Sequence, residues 1–155
     1  MRNAKNPPRH SVDISEEAGV RTLHFGSDWV QGAMRIARPW SLELAYTREM
    51  MAGLLLRDSR TWPRNALLVG LGAGSLAKFL YRHCPDCRIT VVEINPQVEF
   101  VARQFFKLPD DPQRLNVVIG CGADYMLAGD SRFDAILVDG FDADARAGAL
   151  DTLPF

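Results

Sequence analysis

The sequence has few cysteines, no excess of charge of either sign and no long apolar run. Three cysteines cannot all pair, so a disulfide framework is disfavoured and a reducing cytoplasm is the expected compartment. With 18 basic and 19 acidic residues the net charge is -1, and no basic stripe is present for the phosphates of a nucleic acid. No apolar run approaches the roughly 18 residues of a membrane span, and the leading MRNAKNPPRH lacks the apolar core of a signal peptide. Neither a nucleic-acid partner nor a membrane partner is therefore expected.

Two of the cysteines, Cys84 and Cys87, form a C-x-x-C on the link between a predicted helix and a predicted strand. A structural zinc site needs four ligands, and only His83 and the distant Cys121 are available to complete this one. The sequence therefore predicts no metal site.

The length of 155 residues fits one globular domain with a small leading part. Residues 1–10 are predicted to be a disordered lead, and residues 11–40 a small antiparallel β element. Its three short strands are expected where apolar residues alternate between glycine-containing turns, over Val12–Ile14, Val20–Phe25 and Val30–Arg35. A helix over 41–57 follows, with Ser41 as its N-cap.

The main body, residues 41–155, alternates between apolar strands and helical patterns. Strands are predicted over 66–70, 88–93, 116–120 and 133–138, and helices over 75–83, 96–106 and 122–128. Helical crossovers between successive strands predict a Rossmann-like α/β fold, with a parallel sheet covered on both faces. The alternation stops after four strands, where DADARAGALDTLPF replaces a further strand and helix, so the C-terminal strands are expected to be missing. An unpaired sheet edge favours a partner, such as a second copy in a homo-oligomer.

Between the first of these strands and its helix, the sequence GLGAG contains Gly70, Gly72 and Gly74. A glycine-rich turn of this kind lets the backbone approach a ligand and points helix N–H groups at it. The dinucleotide fingerprint requires glycine or alanine at the position of Ser75. The spacing therefore favours an adenosine sulfonium cofactor over NAD. The alternative is a tight turn that only packing requires.

An acidic residue ends the second strand. Glu93 lies 21 residues beyond Gly72, where a carboxylate can accept hydrogen bonds from both hydroxyls of a ribose. The alternative is that Glu93, with Asn95, caps the helix that begins at Pro96. The third strand leads into GCGADYM at the same sheet edge, which is the expected position of an adenine contact.

The fourth strand ends in VDGFDAD, which brings Asp139 and Asp142 to the carboxyl end of an expected central strand. A carboxylate there can bind an ammonium group and accept its proton. An amine with a free pKa near ~10.4 must lose that proton before it attacks. Asp139 and Asp142 are therefore candidate catalytic and substrate-binding residues, unless they belong, with Asp144, to an ordinary polar loop. All four strand ends are expected to converge on one cleft.

These motifs, in this order, resemble those of the polyamine aminopropyltransferases, the spermidine and spermine synthases. The resemblance extends over residues 12–155 and includes GVRTLHFGSDWVQGAM, YTREMMAGLLL, LLVGLGAG, VVEINP, DDPQRLNVVIGCGADYM and FDAILVDGFD. It implies a small N-terminal β domain over a Rossmann-like domain. In this family an amine displaces methylthioadenosine from decarboxylated S-adenosylmethionine, a reaction of polyamine biosynthesis.

The resemblance also implies roles for individual residues. By position, Gln31 and Glu93 match residues that hold the nucleoside, Asp139 matches the general base, and Asp142 matches a contact to the substrate amine. The glycine turn and the corner formed by Cys121 and Gly122 complete the implied nucleoside site.

The chain departs from the family pattern at several positions. Ala73 replaces an aspartate that binds the aminopropyl amine, and Cys121 replaces an adenine-binding aspartate. Arg48 and Gly53 replace side chains of the polyamine cleft, and VDGFDADA lacks the proline of the family's D-x-x-D-P gate. Because polyamines are cations, the loss of a carboxylate and the gain of Arg48 alter the expected substrate.

Two further interpretations therefore stand beside aminopropyl transfer to a small-molecule amine. Arg48 suits a carboxylate, which S-adenosylmethionine carries and its decarboxylated form lacks. The first alternative is thus an S-adenosylmethionine-dependent methyltransferase-like protein with Arg48 as a substrate contact. The second is a protein that binds the nucleoside without turnover.

Overall fold

A computed structural model describes residues 11–129, 131–140 and 150 of the chain. Its first three strands form an antiparallel sheet in the order β1-β2-β3: β1 Val12–Glu17, β2 Val20–Phe25 and β3 Val30–Arg35. The prediction for this sheet is confirmed, except that β1 extends past Ile14. The extension is polar: the hydroxyl oxygens of Ser15 and Thr22 lie 2.6 Å apart across the strands. Alternation of apolar residues does not reveal a solvent-facing segment of this kind.

The helix predicted over 41–57 is shorter than expected. α1 comprises Ala45–Met51 and continues as a 3-10 helix over Ala52–Leu56. Ser41 is not the N-cap; it lies in a turn, where its backbone N–H donates to the carbonyl of Arg38 at 3.0 Å. Leu44 occupies the cap position without a side-chain hydrogen bond.

The rest of the described chain forms a four-stranded parallel sheet with helices between its strands. The strands are β4 Asn65–Val69, β5 Arg88–Glu93, β6 Leu115–Ile119 and β7 Ala135–Val138, and the helices are α2 Ser75–His83, α3 Pro96–Phe105 and α4 Gly122–Ala128. The strand order is β6-β5-β4-β7, so the chain reverses direction across the sheet between β4 and β7. This confirms the predicted Rossmann-like α/β class. Ligands of open parallel sheets bind at such a reversal point.

One hydrophobic core joins the two sheets. Its buried residues include Leu68 and Val91 from the parallel sheet, and Leu23 and Met34 from the N-terminal sheet. A smaller cluster around Val69 covers the opposite face of the parallel sheet. The shared core holds β3 against the turn between β4 and α2.

β7, which precedes Asp139, is an edge strand of the described sheet. It pairs with β4 on one side, and no other described strand pairs with it. Its alternate residues Ile136 and Val138 are 46% and 39% exposed, so one face of the strand is incompletely covered. Because residues 141–149 and 151–155 lie outside the described part of the chain, the expectation that Asp139 follows a central strand stays a prediction.

Candidate functional site

The turn between β4 and α2 approaches the end of β7 so closely that it requires glycine at position 70. Gly70 has a φ of +97°, and a Cβ there would overlap the carbonyl oxygen of Asp139. The Gly70 N–H donates to Val92 O at 2.9 Å, and the Asp139 N–H donates to Val69 O at 2.8 Å. The carboxyl ends of β4, β5 and β7 therefore meet at Gly70, where the sequence predicts the cleft.

Three backbone N–H groups of the glycine turn, residues 70–74, already have partners within the protein. Besides that of Gly70, the Leu71 N–H donates to Glu93 Oε2 at 2.9 Å and the Gly74 N–H donates to Leu71 O at 2.9 Å. A pyrophosphate binds such a turn through free N–H groups, whereas a carboxylate takes one of them here. The turn therefore offers fewer N–H groups to a pyrophosphate than a dinucleotide site does.

β3 crosses the glycine turn and places Gln31 beside it. A Cβ on Gly32 would lie 2.6 Å from the Cβ of Ala73, and a Cβ on Gly72 would lie 2.9 Å from Gln31 O. Ser75 Oγ donates to the carbonyl of residue 33 at 3.2 Å. Ala73 is thus buried beneath Gly32, and its methyl group supplies no charge to the turn.

Glu93 ties the end of β5 to the glycine turn. It is only 7% exposed, and its two carboxylate oxygens accept from the N–H groups of Leu71 and Asn95, each at 2.9 Å. Burial raises the pKa of Glu93 above its usual range, and these backbone hydrogen bonds oppose that rise. The helix cap is supplied by Asn95, whose side chain accepts from the Gln97 N–H at 3.0 Å. Asn95 therefore supplies the side-chain cap, and Glu93 accepts from the backbone at the start of α3 and at the glycine turn.

Cys121 and Gly122 form the corner between β6 and α4. Cys121 is partly exposed and occupies the N-cap position of α4 without a side-chain hydrogen bond. A Cβ on Gly122 would overlap the side chain of Val69, so the helix start packs directly on β4. The corner therefore lies at the same edge of the sheet as the glycine turn.

Asp139 is hydrogen-bonded to a residue that the sequence did not single out, Tyr46 of α1. Tyr46 Oη donates to Asp139 Oδ2 at 3.0 Å. Burial raises the pKa of Asp139, and the hydrogen bond from Tyr46 lowers it. Desolvation and the negative charge of Asp139 raise the pKa of Tyr46 well above its usual value, so the phenol stays protonated as the donor. The only sequence signal was a polar-tipped aromatic residue in the YTREMMAGLLL motif.

Arg48 and Asp142 are not brought into this cluster by the described residues. Arg48 follows Tyr46 by two residues, about 200° further round a helix, and its Nη1 donates to the carbonyls of Leu42 and Glu43 at 3.0 and 3.2 Å. It lines a groove that contains none of the other predicted site residues. Asp142 lies outside the described residues.

The C-x-x-C cysteines are buried, and burial raises the pKa of both thiols, that of Cys87 to about 11. The part of the chain that the structure describes contains no group of three or more metal-ligating side chains suited to a metal ion. Within the same residues, no helix has the length and apolar character needed to cross a membrane.

The fold defines a class of protein: a Rossmann-like α/β domain with a small antiparallel sheet and a glycine turn at the reversal point of its parallel sheet. Comparison with known proteins specifies the family. Residues 43–155 match the model of the spermine/spermidine synthase domain. The chain belongs to the spermine/spermidine synthase family.

Two bacterial proteins named polyamine aminopropyltransferase are similar over most of the chain. The protein from Chromobacterium violaceum is 44% identical and the one from Neisseria meningitidis serogroup A is 42% identical, each over 144 residues. Both alignments cover 93% of this chain and 54% of the relative. The chain therefore spans about half the length of the curated relatives it matches.

Two solved structures share the fold. A probable spermidine synthase from Corynebacterium glutamicum has a TM-score of 0.65 at 21% identity, covering 93% of this chain and 52% of that one. Human methyltransferase-like protein 13, solved in complex with SAH, has a TM-score of 0.57 at 36% identity, covering 64% of this chain and 49% of that one.

Proposed function

We propose that the chain carries the nucleoside site and the general base of an aminopropyltransferase of polyamine biosynthesis. Decarboxylated S-adenosylmethionine binds at the glycine turn, and its aminopropyl group passes to a small-molecule amine. The observation that carries the proposal is the Tyr46–Asp139 hydrogen bond, which holds a carboxylate beside the turn. The similarity to aminopropyltransferases over 93% of the chain supports the same reaction.

Nucleoside binding rests on the glycine turn and Glu93. The ribose hydroxyls donate to the Glu93 carboxylate, whose orientation is fixed by backbone N–H groups that include those of Leu71 and Asn95. Gln31 and the corner formed by Cys121 and Gly122 border the rest of the nucleoside. The negative charges of Glu93 and Asp139 suit a sulfonium and an ammonium, and they disfavour a phosphorylated ligand.

Asp139 acts as the general base. An amine is mostly protonated at pH 7, so it must transfer a proton before its nitrogen can attack. The raised pKa of Asp139 brings the proton affinity of the carboxylate closer to that of the amine. The neutral nitrogen then attacks the methylene carbon next to sulfur, the carbon–sulfur bond breaks, and its electron pair leaves with methylthioadenosine. Alignment of nitrogen, carbon and sulfur can lower the barrier by up to roughly 7 to 11 kcal/mol. Asp142 remains the proposed contact to the acceptor amine.

The test compares Asp139→Asn with Asp86→Asn in an assay of aminopropyl transfer to 1,4-diaminobutane. Asp86 is a matched control because its carboxylate lies on the surface, 61% exposed, in the loop before β5. We expect Asp139→Asn to lower kcat by at least about 100-fold and to leave the affinity for methylthioadenosine within a few fold. Full turnover by Asp139→Asn would contradict the assignment of the base. Methylthioadenosine binding without turnover by the unaltered chain would favour the interpretation as a binding protein.

A second candidate function is methyl transfer from S-adenosylmethionine, which the burial of Ala73 favours. That residue offers no carboxylate to an aminopropyl ammonium, and Gly32 closes over its methyl group. The similarity to an SAH-bound methyltransferase-like protein at 36% identity supports an S-adenosylmethionine-related ligand. Under this function, intact S-adenosylmethionine binds more tightly than its decarboxylated form. Calorimetric titration with both compounds distinguishes the two functions.

A further inference from the structure

A groove at the C-terminal end of α2 is lined by cationic and apolar side chains. We propose that it binds a small organic anion, a carboxylate with an aromatic or branched aliphatic body. This site, the arginine groove, is lined by residues that include Arg38, Trp40, Arg48, Phe79, Arg82 and His83. The glycine turn adjoins the opposite end of α2, so the groove is a separate site and does not rest on the proposed function.

Among the residues that the structure describes, no carboxylate pairs with the three arginines of the groove. Arg48 donates to two backbone carbonyls. The guanidinium of Arg82 lies 5.5 Å from the centre of the Trp40 ring. The side chain of Arg38 makes no hydrogen bond or ion pair with a described residue. The groove therefore presents three positive charges whose hydrogen-bonding capacity is largely unused by the described residues.

Arginines elsewhere in the described chain form ion pairs with glutamates, unlike those of the arginine groove. Arg35 pairs with Glu43 at 2.5 Å, and Arg103 pairs with Glu99 at 2.9 Å. No aspartate or glutamate is among the described residues that line the arginine groove. Several guanidinium groups that lie close together, with no acidic side chain among them, attract an anion and bind it through charge-assisted hydrogen bonds.

The rest of the lining is apolar and favours a ligand with a hydrophobic body. Leu55, which is 88% exposed, lies on the rim, and Met51 and Phe79 form part of the wall. The volume is about 730 Å³, within the range of about 300 to 1,000 Å³ that is typical of small-molecule sites. An inorganic ion would leave the apolar wall uncovered. A small amphipathic anion satisfies both the arginines and the wall.

The experiment uses 2-naphthoate as probe and 2-naphthamide as its neutral match, titrated into the ¹⁵N-labelled chain. The indole N–H resonance of Trp40 reports on the groove, and backbone resonances of the glycine turn report on the other site. We expect saturable shifts at Trp40 with naphthoate and at least roughly tenfold weaker binding of naphthamide. Equal affinities for the two compounds, or shifts confined to the glycine turn, would overturn the proposal.

Two double variants separate a local effect from a change in overall charge. Arg38→Gln with Arg82→Gln removes two charges from the groove, and Arg88→Gln with Arg132→Gln removes two from exposed positions outside it. We expect the first pair to weaken naphthoate binding roughly 10- to 100-fold and the second to change it less than about twofold. Equal losses of naphthoate affinity in the two double variants would refute a small-anion site. Binding of an acidic peptide to the groove, without binding of naphthoate, would also refute it. Methylthioadenosine affinity measured on the first pair stays unchanged, whether or not the proposed function holds.

Discussion

Replacing Tyr46 with phenylalanine removes one hydrogen-bond donor from Asp139 and keeps the aromatic ring. The donated bond spans 3.0 Å from Tyr46 Oη to Asp139 Oδ2. Because it stabilises the charged carboxylate, its loss raises the pKa of Asp139 further. The same loss leaves a half-buried carboxylate without its described side-chain partner.

The size of the effect follows from the strength of a hydrogen bond to a charged group, which is about 1.5 to 3 kcal/mol. Tyr46 is 40% exposed, so solvent screens the interaction and the lower end, about 1.5 kcal/mol, is the appropriate estimate. The pKa of Asp139 is higher in the folded chain than in the unfolded chain. Asp139 therefore stabilises the folded state below its unfolded pKa, and this contribution to the free energy of unfolding is lost as pH rises through its folded pKa. Tyr46→Phe therefore costs more stability at pH 7 than in acid.

Two measurements test this prediction. NMR titration of ¹³C-labelled aspartate carboxyl groups should show a higher midpoint for Asp139 in Tyr46→Phe than in the unaltered chain. Urea unfolding in the Asp139→Asn background supplies the control, because the stability cost of Tyr46→Phe should there become independent of acid pH. An unchanged midpoint for Asp139, together with an equal stability cost in both backgrounds, would refute the reasoning.

Three further predictions concern positions where the backbone or a buried charge constrains the residue. Gly70→Ala should lower the free energy of unfolding by about 1 to 3 kcal/mol in urea titrations, because φ is +97° and the site has no room for a Cβ. An unchanged free energy of unfolding would contradict the close approach of β7 to the glycine turn. Lys78 is 2% exposed and donates to Phe106 O at 2.7 Å, and burial lowers its pKa from 10.5 to about 8. The unfolded chain binds more protons in that interval, so stability should rise between pH 8 and 10.5, and Lys78→Met should abolish the rise in unfolding curves. Glu93→Gln places an amide against backbone N–H donors and should weaken methylthioadenosine binding at least about tenfold by calorimetry. The exposed control Glu17→Gln should bind normally, and equal affinities of the two variants would argue against a role for Glu93.

Much of the architecture was predictable from local sequence. Apolar strands followed by amphipathic segments define β4 to β6 and α2 to α4 almost completely, because both periodicities are strong and glycine or proline marks their ends. The start of α1 was not predictable in this way. Serine is a favoured N-cap residue, but Ser41 lies in the turn that begins at Arg38, where its backbone N–H donates to the Arg38 carbonyl.

The candidate site was predictable in position and less so in its contacts. The glycine turn, Glu93 and Asp139 follow strands, and parallel strands place their carboxyl ends at one edge. The Tyr46–Asp139 hydrogen bond joins residues 93 positions apart, and no local pattern encodes such a pair. The same holds for the groove in which Arg48 lies.

The most direct test of the nucleoside site is calorimetric titration of the unaltered chain with methylthioadenosine, S-adenosylmethionine and decarboxylated S-adenosylmethionine. We expect methylthioadenosine to bind, and the decarboxylated compound to bind more tightly than the intact one. Tighter binding of intact S-adenosylmethionine would contradict aminopropyl transfer and support the methyltransferase function. The absence of binding by all three compounds would contradict the assignment of the glycine turn as a nucleoside site.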